Sequence, residues 1–252
     1  TPCTWLEGFT APENWPPVDT LEWLQGQLGC AFDLVKRTDE PFLIRETVIT
    51  HYYQSRRFTM ANILSIAGNP TAPSKTYGFV QYLNELLEKE GFHTDTIAVR
   101  DFSPEDLIYG RYDSPALEPI KALLGQADGI IVATPIYKAA YTGLLKAFLD
   151  LLPQGAFANK VVLPIATGGT IAHLLAIDYA LKPVLSELKA RHILGGIYAI
   201  DKQLQFQASG QLQPDEEIGQ RTQEAVRDFV VAVNLHRSAT KEKNPTLLPV
   251  HT

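Results

Sequence analysis

A doubly wound parallel α/β sandwich is the fold class that this sequence predicts, on three observations. From residue 61 onward, short apolar runs alternate with longer amphipathic ones. The runs ANILSIA (61–67), GIIVATP (129–135) and KVVLPIA (160–166) are almost continuously apolar, as parallel strands covered on both faces must be. The stretches between them are long enough for helical crossovers, which are right-handed in such units.

The elements follow in order. The strand at 61–67 leads through the loop GNPTAPSKT into a helix from Thr76 to Glu90, where Phe79, Tyr82, Leu83, Leu86 and Leu87 recur at helical spacing. Gly91 stands in the usual C-cap position. FHTDTIAV (92–99) reads as the second strand, followed by a loop at 101–114 and a helix at 115–126. The third strand ends on Thr134 and Pro135, a short loop follows, and a helix covers 139–152. The fourth strand is KVVLPIA, and 171–190 is helical but must kink or divide at Pro183. HILGGIYAI (192–200) is the fifth strand, a polar loop follows, and a last helix covers about 215–236 before a polar tail at 238–252.

Residues 1–58 differ in composition. They hold all three tryptophans and both cysteines, with prolines at 2, 12, 16 and 17. A short helix near Leu21–Leu28 and a strand at 41–53 are expected there. The segment reads as an ordered arm that packs on the main domain or on another subunit, or else as sequence upstream of a native start at Met60; its aromatic content favours the arm. Cys3 and Cys30 are expected to be free thiols in a reducing cytoplasm.

A net charge of −6 argues against general nucleic-acid or anionic-membrane binding, and no apolar run approaches a membrane span. The first residues show no basic-then-apolar signal pattern, so export is not expected and a cytoplasmic location is. The histidines form no metal-spaced cluster, and no cysteine lies in the main domain to serve as a nucleophile.

In a doubly wound sheet, ligands bind beyond the carboxyl ends of the strands. In the first loop, Ser74 and Thr76 flank Lys75 where a helix begins. Amides there and the positive end of the helix dipole favour a phosphate, although Ser74 is equally explained as an N-cap. Neither G-x-G-x-x-G nor GK[ST] is present. At the third strand's exit, Pro135 fixes its own φ and lacks a donor, giving a stiff shelf beside Tyr137 and Lys138 on which a planar ligand could rest. After the fourth strand, Gly168 and Gly169 permit close backbone approach, and Thr167 and Thr170 offer hydroxyls. His173 reads as a helix-start residue.

The runs ATPIYKAAYTGLLK (133–146), KVVLPIATGGT (160–170) and HLLAIDYALKP (173–183) closely resemble the NAD(P)H-dependent FMN reductases of alkanesulfonate assimilation. FSPEDLIY (102–109) and DSPAL (113–117) fit the same group, and the resemblance covers about 60–235. It implies a flavodoxin-like sheet of strand order 2-1-3-4-5 within a domain at 60–237. It also implies FMN phosphate in the loop 69–76 and the flavin ring on Pro135, Ile136, Tyr137 and Lys138 and on Thr167, Gly168, Gly169 and Thr170. The resemblance further implies NAD(P)H as electron donor, reduced flavin leaving for a partner flavin-dependent monooxygenase, and a homodimer or homotetramer. That assembly is built on the helix after the third strand, where Tyr141 matches a tyrosine linked to a π-helical turn. No classical catalytic residue is implied, only positioning.

The chain departs from the group at the first loop, where the pattern Gly-Ser-x-Arg becomes Asn69 and Thr71 at the serine and arginine positions. The fixed guanidinium is missing there, Lys75 is the candidate cation, and weaker FMN retention is expected. An FMN-bound quinone, azo or metal-ion reductase is the alternative, distinguished by tightly held flavin. A flavin-binding regulatory or scaffold protein is another, distinguished by binding without turnover.

Overall fold

The computed structural model describes residues 60–242. The expected arm at 1–58, with its helix, strand and cysteines, and the tail beyond 242 lie outside the described residues. In chain order the elements are β1 (Asn62–Ala67), α1 (Lys75–Lys89), β2 (His93–Ala98), α2 (Pro104–Ile108), α3 (Glu118–Gln126), β3 (Gly129–Tyr137), β4 (Ala140–Tyr141), α4 (Gly143–Asp150), β5 (Val161–Gly168), α5 (Lys182–Glu187), β6 (His192–Ile193), β7 (Ile197–Ile200), β8 (Leu204–Phe206), β9 (Leu212–Pro214) and α6 (Glu216–Glu242).

The parallel sheet runs β2-β1-β3-β5, with β6 and β7 both alongside β5. This is the expected flavodoxin-like order once β6 and β7 are counted as one broken strand. Successive residues of each strand serve opposite faces. Leu64, Ile66, Ile130, Val132 and Val162 pack with Leu124 of α3, Phe148 of α4 and Leu185 of α5. Ile63, Ala67, Ile131, Ala133, Leu163 and Ile165 pack instead with Phe79 and Leu83 of α1 and Phe229 and Val233 of α6. Fully burying each such Val, Leu, Ile or Phe side chain contributes about 1.5–3 kcal/mol, so both layers are needed to hold the sheet. A buried polar chain also stitches one face: Ser65 donates to Asn84 Oδ1 at 2.8 Å, and Asn84 Nδ2 donates to Thr96 Oγ1 at 2.9 Å.

The expected cap of α1 is present. Gly91 has φ +82°, its N–H donates to Glu88 O, and the N–H of Phe92 donates to Leu87 O. These two bonds satisfy carbonyls left over at the helix end.

Several expectations are corrected. The third strand does not stop at Pro135; β3 continues to Tyr137 and folds back as β4, pairing Ile136 with Tyr141 and Tyr137 with Ala140. The next helix therefore begins at Gly143, capped by Thr142, whose Oγ1 accepts from Leu145 N at 3.1 Å. The segment 171–190 divides, as Pro183 required, into a 3-10 turn at Ile171–His173, a π-helical turn at Ile177–Leu181 and α5. Pro183 has no N–H to continue an ordinary i→i−4 ladder, so the wide turn falls just before it.

The fifth strand is broken because of a residue on its neighbour. Val162 pairs with Ile193 and Ile165 with Ile197, so β5 has one residue fewer across the gap. Pro164 sits in that gap and has no N–H to offer. The extra residue is accommodated at Gly196, where φ is +93° and a Cβ would lie 2.8 Å from Pro164 O. The polar loop after β7 contains the hairpin β8–β9, which packs on α1 so closely that a Cβ on Gly78 would lie 3.0 Å from Leu212 Cβ. The last helix continues to Glu242 rather than ending near 236. Among the described residues no helix is long and apolar enough to cross a membrane.

Candidate functional site

The register brings the strand ends to one edge. Ala67 pairs with both Ala98 and Ala133, Thr134 with Ala166, and Gly168 with Ile200. The loops after β1, β3, β5 and β7 therefore leave the sheet together. The chain passes from β1 to β2 on one side and then to β3 on the other, so the switch in winding lies between β1 and β3. Gly68 occupies that point. Its N–H donates to Ala133 O at 2.8 Å, and its carbonyl accepts from Thr142 Oγ1 at 2.6 Å. A Cβ there would lie 2.6 Å from Leu145 Cβ, so only glycine lets α4 approach.

Within the first loop Asn69 is 1% exposed, and its Nδ2 donates to Thr71 O at 2.9 Å. Its Oδ1 is buried and has no hydrogen-bond partner among the described residues. Ser74 caps α1, accepting from Tyr77 N at 3.3 Å, which leaves its hydroxyl proton available to an acceptor outside the helix. Thr76 is buried with its Oγ1 at 2.6 Å from Thr167 Oγ1. Lys75, the expected cation of the loop, donates its ammonium to Asp201 O beyond β7. Its flexible four-carbon stem spans the two loops, and this bond uses one of the three N–H donors of the ammonium. The carbonyl of Thr71 also accepts from Arg100 Nη1 at 2.8 Å. Arg100 falls between the second strand expected at 92–99 and the loop at 101–114, and an arginine just past the carboxyl end of a parallel strand is the sequence signal for it.

The hairpin at β3–β4 is tight. Lys138 and Ala139 have φ +50° and +66°, the two successive left-handed residues of a type I′ turn, at positions that usually hold Asn or Gly. Holding such residues there costs roughly 1–2 kcal/mol each, which fixes the hairpin in one shape. Thr134 is buried and braces the turn, its Oγ1 accepting from Thr142 N at 3.1 Å and donating to Pro135 O at 2.9 Å. Pro135 and Ile136 are half-buried, and Tyr137 stands 52% exposed above them. Tyr141 is half-buried in β4, which packs against the π-helical turn at Ile177–Leu181.

At the end of β5, Thr167 and Gly168 are buried, while Gly169 and Thr170 just beyond it are exposed. A Cβ on Gly168 would collide with Tyr198 Oη and would lie 3.7 Å from Ile136 Cβ, so the hairpin and this loop meet at a glycine. Tyr198 donates its hydroxyl to Thr170 O at 2.8 Å. Burial first, and the nearby Asp201 second, push that hydroxyl above the usual tyrosine range. Thr170 Oγ1 in turn accepts from Ala172 N at 3.2 Å, and His173 is exposed in the turn that follows.

The loops that carry the expected cofactor-binding residues thus lie at one edge, tied together by the Thr76–Thr167 bond and, to the loop after β7, by the bond from Lys75 to Asp201 O. The site combines a helix N-terminus with a free hydroxyl, an unpaired buried acceptor, a rigid shelf beside an exposed ring, and glycine backbone open to close approach. The helix N-terminus and hydroxyl suit a phosphate, the shelf and glycine backbone a planar ring, and the unpaired acceptor a ligand hydroxyl.

The sequence pattern of NADPH-dependent FMN reductases matches residues 61–205, a span that contains every one of these loops. The chain belongs to the NADPH-dependent FMN reductase family. This family member is similar to FMN reductase (NADPH) of Escherichia coli (strain K12), 54% identical over 145 residues, which are 56% of this chain and 74% of the relative. It is 45% identical over 172 residues to FMN reductase (NADPH) of Pseudomonas putida (strain KT2440), covering 68% of this chain and 87% of that one. Among solved structures it is similar to the apo form of an NADH:FMN oxidoreductase (EMOB), with a TM-score of 0.62 and 37% identity over 69% of this chain and 90% of the other.

Proposed function

We propose that this chain is an NADPH-dependent FMN reductase that holds FMN and reduced nicotinamide together at the carboxyl edge of its sheet. When bound, the two cofactors supply the hydride chemistry themselves. The work of the protein is placement. Ser74 and the first amides of α1 hold the FMN phosphate, and Asn69 Oδ1 accepts from a ligand hydroxyl. Thr71 contributes through its carbonyl, which fixes the loop. Pro135, Ile136, Tyr137 and Lys138 form the shelf for the flavin ring, and the backbone of Gly168, Gly169 and Thr170 meets its polar edge. Lys75, Thr76 and Thr167 brace the loops against one another. No side chain is required to move a proton, and the preorganised shelf lowers the entropic part of the barrier.

The observation that carries this reading is that the family match includes all the loops that the register brings to one edge. Choice of NADPH is supported by the two relatives at 54% and 45% identity, both named for NADPH. Release of reduced flavin to a flavin-dependent monooxygenase in the cytoplasm completes the reading. Self-association as a homodimer or homotetramer is supported by the exposed apolar side chains of Ile171, Leu174, Leu175 and Tyr179, next to Thr170 in the chain.

The test is NADPH oxidation by the purified full chain, with and without added FMN. Oxidation that rises with free FMN, and is slower with NADH, is expected. Flavin retained through purification, with turnover independent of added FMN, would make FMN a resident cofactor instead. A folded protein that oxidises neither nicotinamide in the presence of FMN would refute the reading.

A further inference from the structure

We propose that Arg100 is a phosphate-binding residue of this site, supplying from the end of β2 the guanidinium that the first loop itself lacks. The inference rests on the reading of Ser74 and α1 as the FMN phosphate cradle. Arg100 lies in the 3-10 turn Val99–Asp101 that follows β2, and Ala98 is in register with Ala67, so its backbone leaves the sheet beside the first loop.

Its guanidinium is held in place rather than free to sweep through solvent. Nη1 donates to Thr71 O at 2.8 Å, Cζ lies 5.1 Å from the Tyr77 ring centroid, and the side chain is 23% exposed. Its ion pair, Nε to Asp101 Oδ1 at 3.6 Å, involves a carboxylate that is 73% exposed. Such a solvent-facing pair is worth little, so the positive charge is not cancelled. A guanidinium carries five N–H donors, and the bond to Thr71 O uses one. The remaining fork suits two phosphate oxygens, and a preplaced fork loses little freedom on binding.

Arg100 and Ser74 face a common space. Together with Ala72, Pro73 and Tyr77 they help line a cleft of about 290 Å³ whose other walls are the outer face of α1 and the β8–β9 hairpin. Among the described residues the only carboxylate lining that cleft is Glu85. It sits eleven residues past Ser74, roughly 16 Å along the helix axis. One further observation points to a ligand at this loop: Asn69 Oδ1 is buried without a partner among the described residues, an acceptor that a ligand hydroxyl would satisfy.

The experiment compares FMN with riboflavin, which has the same ring and no phosphate, by fluorescence titration of the full chain at low and high salt. Wild type is expected to prefer FMN. Arg100→Gln should weaken FMN on the order of tenfold, leave riboflavin unchanged and flatten the salt dependence, with Arg100→Lys recovering part of the loss. Equal losses for both flavins would show that Arg100 only shapes the loop, and an unchanged FMN affinity would remove it from the site; either overturns the proposal. If Arg100→Gln does not fold, the same comparison on Arg100→Lys decides, a partial loss confined to FMN being required. Ser74→Ala separates the two readings. If it weakens FMN while Arg100→Gln does not, Arg100 alone is wrong. If wild type shows no preference for FMN, the cradle and Arg100 fall together.

Discussion

The hydroxyls of Thr76 and Thr167 lie 2.6 Å apart, joining the first turn of α1 to the end of β5 across 91 residues of chain. Both side chains are buried, so removing one partner strands the other. Thr167→Val should cost about 1–3 kcal/mol of stability, and the double variant Thr76→Val with Thr167→Val should be less destabilised than the sum of the singles. Urea unfolding measures both; strict additivity would show that the hydroxyls do not interact.

Gly168→Ala should damage the site more than its size suggests, because its Cβ would collide with Tyr198 Oη. Relief requires moving either Tyr198 or the β3–β4 hairpin. A loss of FMN affinity and of about 1–3 kcal/mol in stability is expected, partly restored by adding Tyr198→Phe. Wild-type affinity in the single variant would refute the clash.

Ala139→Gly should raise stability by about 1 kcal/mol, since Ala139 holds φ +66° in the turn after β3. Thermal or urea unfolding tests this. No gain would mean that the left-handed turn is not held in solution.

Ser74→Ala removes the cap of α1, which accepts from Tyr77 N. A loss of about 1 kcal/mol in stability is expected, together with weaker FMN binding and unchanged riboflavin binding. Titrated FMN affinity equal to wild type would remove Ser74 from the phosphate site.

Burial raises the Tyr198 hydroxyl above its ordinary value of 10.0, so the fold favours the neutral phenol. The stability that this lends is fully present below that ordinary value and is lost as pH rises through the folded-state value. Wild type should therefore lose more stability than Tyr198→Phe on passing to pH above about 10. Parallel stability curves for the two proteins would contradict the assignment.

The amino-acid pattern by itself determined the class of the fold and nominated the loops at which a ligand would sit, while the strand order followed from the family resemblance. Continuous apolar strands, amphipathic helices and the Gly91 cap are local signals, and each reports on its own few residues. The hairpin after Pro135 was not legible, because Lys138 and Ala139 carry none of the Asn or Gly chemistry that announces a type I′ turn. The break in the fifth strand was not legible either, since its cause, Pro164, lies on the neighbouring strand.

Within the site the division is the same. The sequence nominated Lys75 as the loop's cation; only the fold shows its ammonium on Asp201 O, 126 residues away, and the guanidinium of Arg100 on Thr71 O. A residue's type and spacing say what it can donate or accept. Which partner it meets depends on crossovers and register that bring distant segments together, and that pairing exists only once both layers have closed on the sheet.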